Sequence, residues 1–289
     1  MASEDDPPEK DPAELEKGRM PFLQHLAELR DRLRNAAIFF ILAFLICWYF
    51  AKEIFEWLRQ PLFDIWLQHC NFSVTTPQCL AHGLDVNNNW GPPKLIYTGL
   101  TQPFWVDMSI GLWAGIFVAS PFIFYQLWKF IAPGLYKKER RTTIAFAGFS
   151  AVFFVCGALF CFEFALPKLY AFLLSYNDRD LLSLPNIQEY LDLTRDMMLA
   201  FGAIFELPLL IYFLAMVGLV THRSLWKFSR WFIVLAFIIG AVLTPGPDVV
   251  SQFMMATPMI VLYNISILFA WRVTKKREAK QKALEDRNK

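Results

Sequence analysis

The sequence predicts an all-α integral membrane protein with six transmembrane helices, and three observations carry this prediction. The chain of 289 residues is 56% hydrophobic and 17% aromatic, which is too apolar for a water-soluble domain of this length. Six long apolar runs divide it, and a helix needs about 20 mostly apolar residues to cross a bilayer. Lys and Arg are concentrated in alternate gaps between these runs, which predicts that both termini are cytoplasmic.

The apolar runs define the predicted spans, which cover residues 36–51, 108–130, 143–166, 197–220, 231–243 and 249–271. We expect residues 1–19 to form an acidic, disordered extension, residues 20–272 the transmembrane domain, and residues 273–289 a charged cytoplasmic tail. Just before the first run, Leu26, Leu29 and Leu33 recur at helical spacing. This pattern predicts an amphipathic helix at the membrane interface that continues into the first span.

The fifth run is the weakest candidate for a span. It holds 13 residues, which cover about 20 Å at 1.5 Å per residue, whereas the hydrocarbon core is about 30 Å thick. Either this helix thins the surrounding bilayer, or Trp226 and Phe228 complete the span.

Prolines interrupt three different runs, at Pro121, Pro208 and Pro258. Each proline removes a backbone donor and bends its helix. Ordinary kinking, which is common in membrane helices, explains any one of them. Three bends in three spans favour kinked helices that together form a concave cup.

Glu206 lies in the middle of the fourth run. An ionised carboxylate at that depth costs several kcal/mol, so it must contact protein, face a water-filled cavity or stay protonated. It is either a hydrogen-bonded acid buried between helices or a functional group. The functional alternatives include the proton site of a secondary transporter, although the two halves of the chain show no repeat typical of such transporters.

The sixth run carries a polar stripe made of Gln252, Thr257, Asn264 and Ser266. Polar side chains on a membrane helix tend to bond another helix. The partner is either another part of this chain or a separate transmembrane helix, and the sequence does not decide between them.

Cys70 and Cys79 lie in the long first gap, on the side expected to be external. A disulfide between them is our first expectation, free thiols the second, and a zinc site with His69 and His82 a distant third. We therefore predict no metal and no cofactor. The net charge of +2 gives no indication of nucleic-acid binding, and the chain has no His-Glu-x-x-His, Gly-x-Ser-x-Gly or P-loop motif, which argues against an enzyme.

Four separated stretches carry a resemblance to a known family. They read FLQHLAELR at 22–30, YQLWKFIAPGLYKKERR at 125–141, FGAIFELP at 201–208 and LTPGPDVVSQ at 243–252. In this order they resemble the TatC family, the multi-spanning receptor subunit of the twin-arginine protein translocase. The resemblance covers about residues 20–272, and it leaves the acidic extension and the long first gap without an assigned role.

The resemblance implies a role for each matching position. Glu28 and Glu139 would receive the paired arginines of a signal peptide, and four neighbours would shape that site: Arg30, Phe130, Tyr136 and Lys137. Glu206 would be an intramembrane acid on the concave side, and Asp248 an acid at the outer turn. Thr244 and Gln252 would belong to a cluster where single-span TatA- and TatB-type subunits dock.

The implied function is recognition of twin-arginine signal peptides and export of folded proteins across the bacterial cytoplasmic (inner) membrane, with self-association of the receptor. Elementary chemistry agrees with the implied site. Two adjacent guanidinium groups are best matched by two carboxylates, each of which accepts a bidentate pair. Lys cannot reproduce that fork, so such a site can reject paired lysines.

Overall fold

The computed structural model describes residues 12–70, 95–131, 140–175, 185–243 and 249–287. Within these residues the chain forms a series of helices with short connections. The helices are α1 (Pro12–Tyr49), α2 (Ala51–Leu58), α3 (Gln60–Cys70), α4 (Gln102–Ile131), α5 (Arg140–Phe160), α6 (Leu166–Ser175), α7 (Ile187–Phe205), α8 (Leu207–Val217), α9 (His222–Leu243) and α10 (Val249–Arg287). A π-helical turn, Cys161–Ala165, joins α5 to α6.

Among the described residues, six helical segments are long and apolar enough to cross a membrane, which confirms the predicted all-α fold with six spans. They are Leu26–Tyr49, Gln102–Ile131, Ile144–Ser175, Ile187–Val217, His222–Leu243 and Val249–Lys275. Many large apolar side chains on them point outward, and Val242 is 79% and Trp226 69% exposed. Since so much apolar surface is unfavourable in water, these faces belong against lipid.

The helices extend beyond the apolar runs in three places. Helix α9 begins at His222 and has 22 residues, so it is about 33 Å long and includes Trp226 and Phe228. The alternative in which these two residues complete the fifth span is therefore the one that the structure shows. Helix α1 already begins at Pro12, within the segment expected to be disordered, and α10 continues to Arg287, within the charged tail.

The spans lie side by side in an open row. Helix α1 packs on α4, α4 on α5, and α5 on α7, whereas α8 packs on α10 and α10 on α9. Among the described residues, α1 and α9 therefore lie at opposite ends of the row without extensive contact. An open row of helices interrupted by prolines is compatible with the concave cup, which stays a prediction.

Because six spans alternate in direction, the N-terminal part of α1 and the C-terminal part of α10 lie at the same end of the bundle. We call this the terminal end. The segments that precede α4 and α7 lie at the other end, which we call the loop end.

Glycine allows the backbones of α1 and α4 to approach closely. A Cβ atom added to Gly111 would lie 2.8 Å from the Cα of Trp48, and one added to Gly115 would lie 3.0 Å from the Cα of Phe44. Two glycines four residues apart thus form a groove in α4 into which α1 fits, as is common between membrane helices.

The contact between α5 and α7 uses one glycine from each helix. A Cβ on Gly157 would lie 2.6 Å from the backbone oxygen of Phe201, and a Cβ on Gly202 would lie 2.7 Å from the ring of Phe154. Phe201 is completely buried. Each helix therefore places phenylalanine against the gap left by glycine in its neighbour.

A buried hydrogen-bond network connects three elements at the loop end. The hydroxyl of Tyr190 in α7 donates to the backbone oxygen of Leu58 in α2, with a donor–acceptor distance of 2.7 Å. Thr194 shares a hydrogen bond of 2.7 Å with the hydroxyl of Tyr170 in α6. Since Tyr170 is 4% and Tyr190 5% exposed, these bonds satisfy hydroxyls that would otherwise be buried without partners.

A short parallel bridge also joins the two segments that precede α4 and α7. Ile96 donates its amide to the oxygen of Pro185 at 3.1 Å, and Ile187 donates to the oxygen of Ile96 at 2.9 Å. The side chain of Asn186 then caps α7 by accepting from the amide of Gln188 at 2.8 Å. The bridge therefore fixes the start of α7 against the segment that leads into α4.

Two prolines have visible local consequences in the spans. Pro121 lies inside α4 and leaves the oxygen of Phe117 without its helical donor. The hydroxyl of Ser120 donates to that oxygen at 2.7 Å. Pro167 follows the π-helical turn, where the amide of Leu166 bonds the oxygen of Cys161, five residues back. A one-residue π bulge thus ends directly before a proline that has no N–H to donate.

Candidate functional site

Glu28 lies on α1 and is already engaged by a neighbour on its own helix. The Nη2 atom of Arg32 donates to Oε1 of Glu28 at 2.8 Å. The side chain of Glu28 is 33% exposed and that of Arg32 is 20% exposed. Arg30, in contrast, is 77% exposed and lies 3.6 Å from Asp31. The carboxylate is thus accessible, and it already accepts a hydrogen bond from one guanidinium.

The packing of α1 on α4 shows where Glu28 lies along the bundle. Trp48 packs against Gly111, and the rings of Phe39 and Phe122 stack with centroids 4.3 Å apart. The two helices are antiparallel, so a residue further back in α1 faces one further on in α4. In both pairs the two residue numbers add to about 160. Continued at the same rise per residue, this register brings Glu28 level with the last turn of α4.

Phe130 occupies that last turn of α4 and is half-buried. Arg140 begins α5 at the same end of the bundle, because α5 runs antiparallel to α4. This is visible where Trp128 packs on Phe146, with ring centroids 4.9 Å apart. Glu28, Phe130 and the start of α5 therefore share the terminal end of the molecule.

Three of the predicted site residues, Tyr136, Lys137 and Glu139, lie outside the described residues. Residues 132–139 connect Ile131 to Arg140, so each of the three lies within a few residues of a described helix end. The structure thus brings Glu28 and Phe130 to one end of the bundle, and a common site with Glu139 stays a prediction.

Glu206 occupies a break in the fourth span, between the end of α7 and the start of α8. Its amide bonds the oxygen of Ala203 at 3.2 Å instead of the i−4 carbonyl of an α-helix. Pro208 follows at the start of α8, where a missing N–H is tolerated. The acid therefore lies at a point where the helix is interrupted, as its sequence Phe-Glu-Leu-Pro suggests.

The carboxyl of Glu206 is half-buried and lies within side-chain hydrogen-bonding reach of the Ser150 hydroxyl. The Ser150 oxygen also accepts a hydrogen bond of 2.8 Å from the indole nitrogen of Trp128. Ser150 is completely buried and Trp128 is 5% exposed. The Oε1 atom of Glu206 is shielded from solvent and has no hydrogen-bond partner among the described residues.

These contacts connect three spans, because Trp128 belongs to α4, Ser150 to α5, and Glu206 to the break in the fourth. The sequence prediction missed Ser150, which faces Glu206, and Trp128, which donates to Ser150. A weak signal exists, because Ser150 is the only hydroxyl residue between Ile144 and Phe160. It could not show that Ser150 faces Glu206.

The polar stripe of α10 divides between an inner and an outer face. Ser266 is completely buried, whereas Thr257 and Asn264 are exposed, and Gln252 is half-buried. The hydroxyl of Thr257 donates to the oxygen of Phe253 at 2.7 Å. The side-chain amide of Asn264 donates to the backbone oxygen of Ile260 at 2.8 Å. Ser266 therefore fits packing within this chain, whereas the docking of a separate helix on the outer face stays a prediction.

Thr244 and Asp248 lie outside the described residues, so their roles stay predictions. Cys70 is the last residue of α3, and Cys79 lies outside the described residues, so the disulfide also stays a prediction. Cys47, Cys156 and Cys161 are free thiols. Among the described residues no group of three His, Cys, Asp or Glu side chains could hold a metal ion.

Taken together, the fold and its acids define a class of protein. It is a multi-spanning membrane protein with an accessible carboxylate at the terminal end and a second carboxylate inside the membrane, at a broken helix.

Comparison with known proteins identifies the family. The family model described as Sec-independent protein translocase protein (TatC) matches residues 24–258. The chain is 34% identical over 267 residues to the TatC protein of Koribacter versatilis, an alignment that covers 92% of this chain and 91% of that protein. It is 35% identical over 266 residues to the TatC protein of Aquifex aeolicus, covering 91% of this chain and 100% of that protein.

The fold agrees with a solved structure. A crystal structure described as the twin arginine translocase receptor TatC superimposes with a TM-score of 0.71 at 35% identity, covering 86% of this chain and 99% of that one. The chain belongs to the TatC family and is a component of the Sec-independent protein translocase. These relatives give no support to the alternative of a proton-coupled secondary transporter.

Proposed function

We propose that this chain is the receptor that binds twin-arginine signal peptides at the cytoplasmic face of the bacterial inner membrane. The observation that carries the proposal is the position of Glu28, an accessible carboxylate on α1 that is level with the end of α4. Arg and Lys are concentrated in the sequence segments at the same end of the bundle. By the positive-inside rule this end, with both termini, faces the cytoplasm.

The recognition chemistry follows from the carboxylate. Glu28 already accepts a charge-assisted hydrogen bond from a guanidinium at 2.8 Å, so its geometry suits an arginine ligand. Glu139 supplies the second carboxylate, from the connection between α4 and α5. Arg30, Phe130, Tyr136 and Lys137 line the site. Each carboxylate can accept a bidentate, charge-assisted pair from one guanidinium, and lysine cannot form such a pair. The site therefore selects paired arginines over paired lysines.

The first experiment measures binding of a synthetic twin-arginine peptide to the detergent-solubilised chain with Glu28→Gln. Hydrogen bonds to charged groups contribute about 1.5–3 kcal/mol, so the dissociation constant should rise about 10- to 150-fold. Asp31→Asn is the matched control, because it removes the same charge three residues further along α1 and should change the affinity less than threefold. Equal affinities for the wild type and the Glu28 variant would remove Glu28 from the site.

Glu206 serves a later step of export in this proposal. Its Oε1 atom is shielded from solvent and lacks a hydrogen-bond partner among the described residues, so a donor brought by another chain or by the cargo can bind it only when the surrounding helices move apart. Single-span TatA- and TatB-type subunits dock near Thr244, Gln252 and Asp248, along the side of the row formed by α9 and α10. Self-association completes the translocase.

The second experiment separates recognition from export. Glu206→Gln keeps the size of the side chain but removes its charge, so we expect unchanged affinity for the twin-arginine peptide and loss of export in a reporter strain. Glu163→Gln is the control, because Glu163 is an exposed acid in the π-helical turn and should leave export intact. Normal export by the Glu206 variant would show that the acid is structural.

A further inference from the structure

We propose that Arg32 pairs with the Glu28 carboxylate at the position that one signal-peptide arginine would take. By competing for this carboxylate, Arg32 lowers the affinity of the site for every ligand. The inference rests on the proposed function of Glu28 and deepens it. It assigns a role to a residue outside the implied site, namely the control of how strongly a peptide must bind before it is accepted.

Arg32 differs from the other arginines on this part of α1. Its side chain is 20% exposed, against 77% for Arg30 and 62% for Arg34. Its Nε atom is shielded from solvent and has no hydrogen-bond partner among the described residues. The guanidinium of Arg32 is therefore drawn against the helix and directed to Glu28, whereas Arg30 and Arg34 extend outward near Asp31.

The contact has the same chemistry as the proposed ligand contact. Nη2 of Arg32 lies 2.8 Å from Oε1 of Glu28, and a signal-peptide arginine would present an identical guanidinium to the same carboxylate. A bidentate pair needs both carboxylate oxygens. The incoming arginine must therefore displace Arg32, and the receptor with Glu28 free is only a fraction of the unliganded population.

Such competition has a quantitative signature. The apparent dissociation constant is the intrinsic one divided by the fraction of receptor with Glu28 free, and this fraction is a property of the receptor alone. For a partly exposed i,i+4 pair the factor is about three to six. It must be the same for strong and weak ligands, because Arg32 leaves before any of them binds.

The test compares Arg32→Gln with Arg34→Gln in the full-length chain in detergent. Each variant removes one positive charge from the same helix, but only the first frees Glu28. The probes are two fluorescent signal peptides, one with paired arginines and one with Lys-Arg in their place. We expect Arg32→Gln to bind both peptides about three- to sixfold more tightly than Arg34→Gln does, with the ratio between the two peptides unchanged.

A second arm uses the Glu28→Gln background, where Arg32 has no carboxylate to occupy. There the two arginine variants should bind the twin-arginine peptide with equal affinity. Size-exclusion profiles matching the wild type establish that each variant is folded, and Arg32→Lys, which retains the charge and the pair, should stay within twofold of the wild type.

The remaining outcomes overturn the inference. Equal affinities of Arg32→Gln and Arg34→Gln would show only a general charge effect, and weaker binding by Arg32→Gln would show that Arg32 supports the ligand. A changed ratio between the two peptides would place Arg32 in contact with the bound peptide. If Glu28→Gln alone leaves binding unchanged, the proposed function of Glu28 fails, and this inference fails with it. If Glu28→Gln weakens binding but Arg32→Gln has no excess effect, only this inference fails.

Discussion

Replacing Gly157 by alanine should separate α5 from α7. The added Cβ would lie 2.6 Å from the backbone oxygen of Phe201 and 2.8 Å from the Cβ of Phe205. Neither atom is the end of a flexible side chain, so the clash cannot be relieved by a rotamer change and the helices must shift. Overpacking of this kind costs about 1–3 kcal/mol.

Gly148 provides the matched control on the same helix. A Cβ added there meets no heavy atom within 4 Å, so Gly148→Ala carries only the helix preference of alanine, about 1 kcal/mol in its favour. That preference also applies at Gly157. The difference between the two variants therefore isolates the clash, and Gly157→Ala should be about 1–3 kcal/mol less stable than Gly148→Ala.

The assay is unfolding by sodium dodecyl sulfate in mixed micelles, followed by circular dichroism. We expect a lower unfolding midpoint for Gly157→Ala than for Gly148→Ala. Equal midpoints for the two alanine variants would refute the close packing of α5 against α7 at Gly157.

Two further predictions concern buried hydrogen bonds and use the same assay. Tyr190→Phe leaves the oxygen of Leu58 without its donor and should lower the free energy of unfolding by about 1–3 kcal/mol. Tyr97→Phe, at a 57% exposed position, should lower it by almost nothing. Equal effects of the two variants would show that the bond is not stabilising. Ser150→Ala removes the acceptor of the Trp128 indole and should lower stability by about 1–3 kcal/mol. A Ser150→Ala variant as stable as the wild type would contradict the hydrogen-bond explanation.

The sequence was sufficient for features that depend on local chemistry and on the membrane. Apolar runs are long because the bilayer is thick, so the number of spans follows directly from them. The break at Glu206 could be expected from Pro208, because a missing N–H acts on its own helix. The resemblance to the TatC family implies site residues position by position, and these assignments stay predictions.

Features that depend on which faces meet could not be predicted. Helix α9 begins before the apolar run that predicts the fifth span, because Lys227 and Arg230 interrupt the apolar sequence while the helix continues through them. The contact between Ser150 and Glu206 joins different spans, so no local pattern contains it. The engagement of Glu28 by Arg32 has a visible i,i+4 spacing, but the neighbouring arginines offer similar pairings with Asp31.

The hydrogen bonds at the loop end have a mechanical consequence. Leu58, Tyr170, Tyr190 and Thr194 hold α2, α6 and α7 together there, and the bridge at Ile96 ties the entry to α4 to the same group. Relative motion of these spans must therefore be smallest at the loop end, where these hydrogen bonds lie. A small rotation about these bonds would then displace the terminal end, where Glu28 lies, more than the loop end.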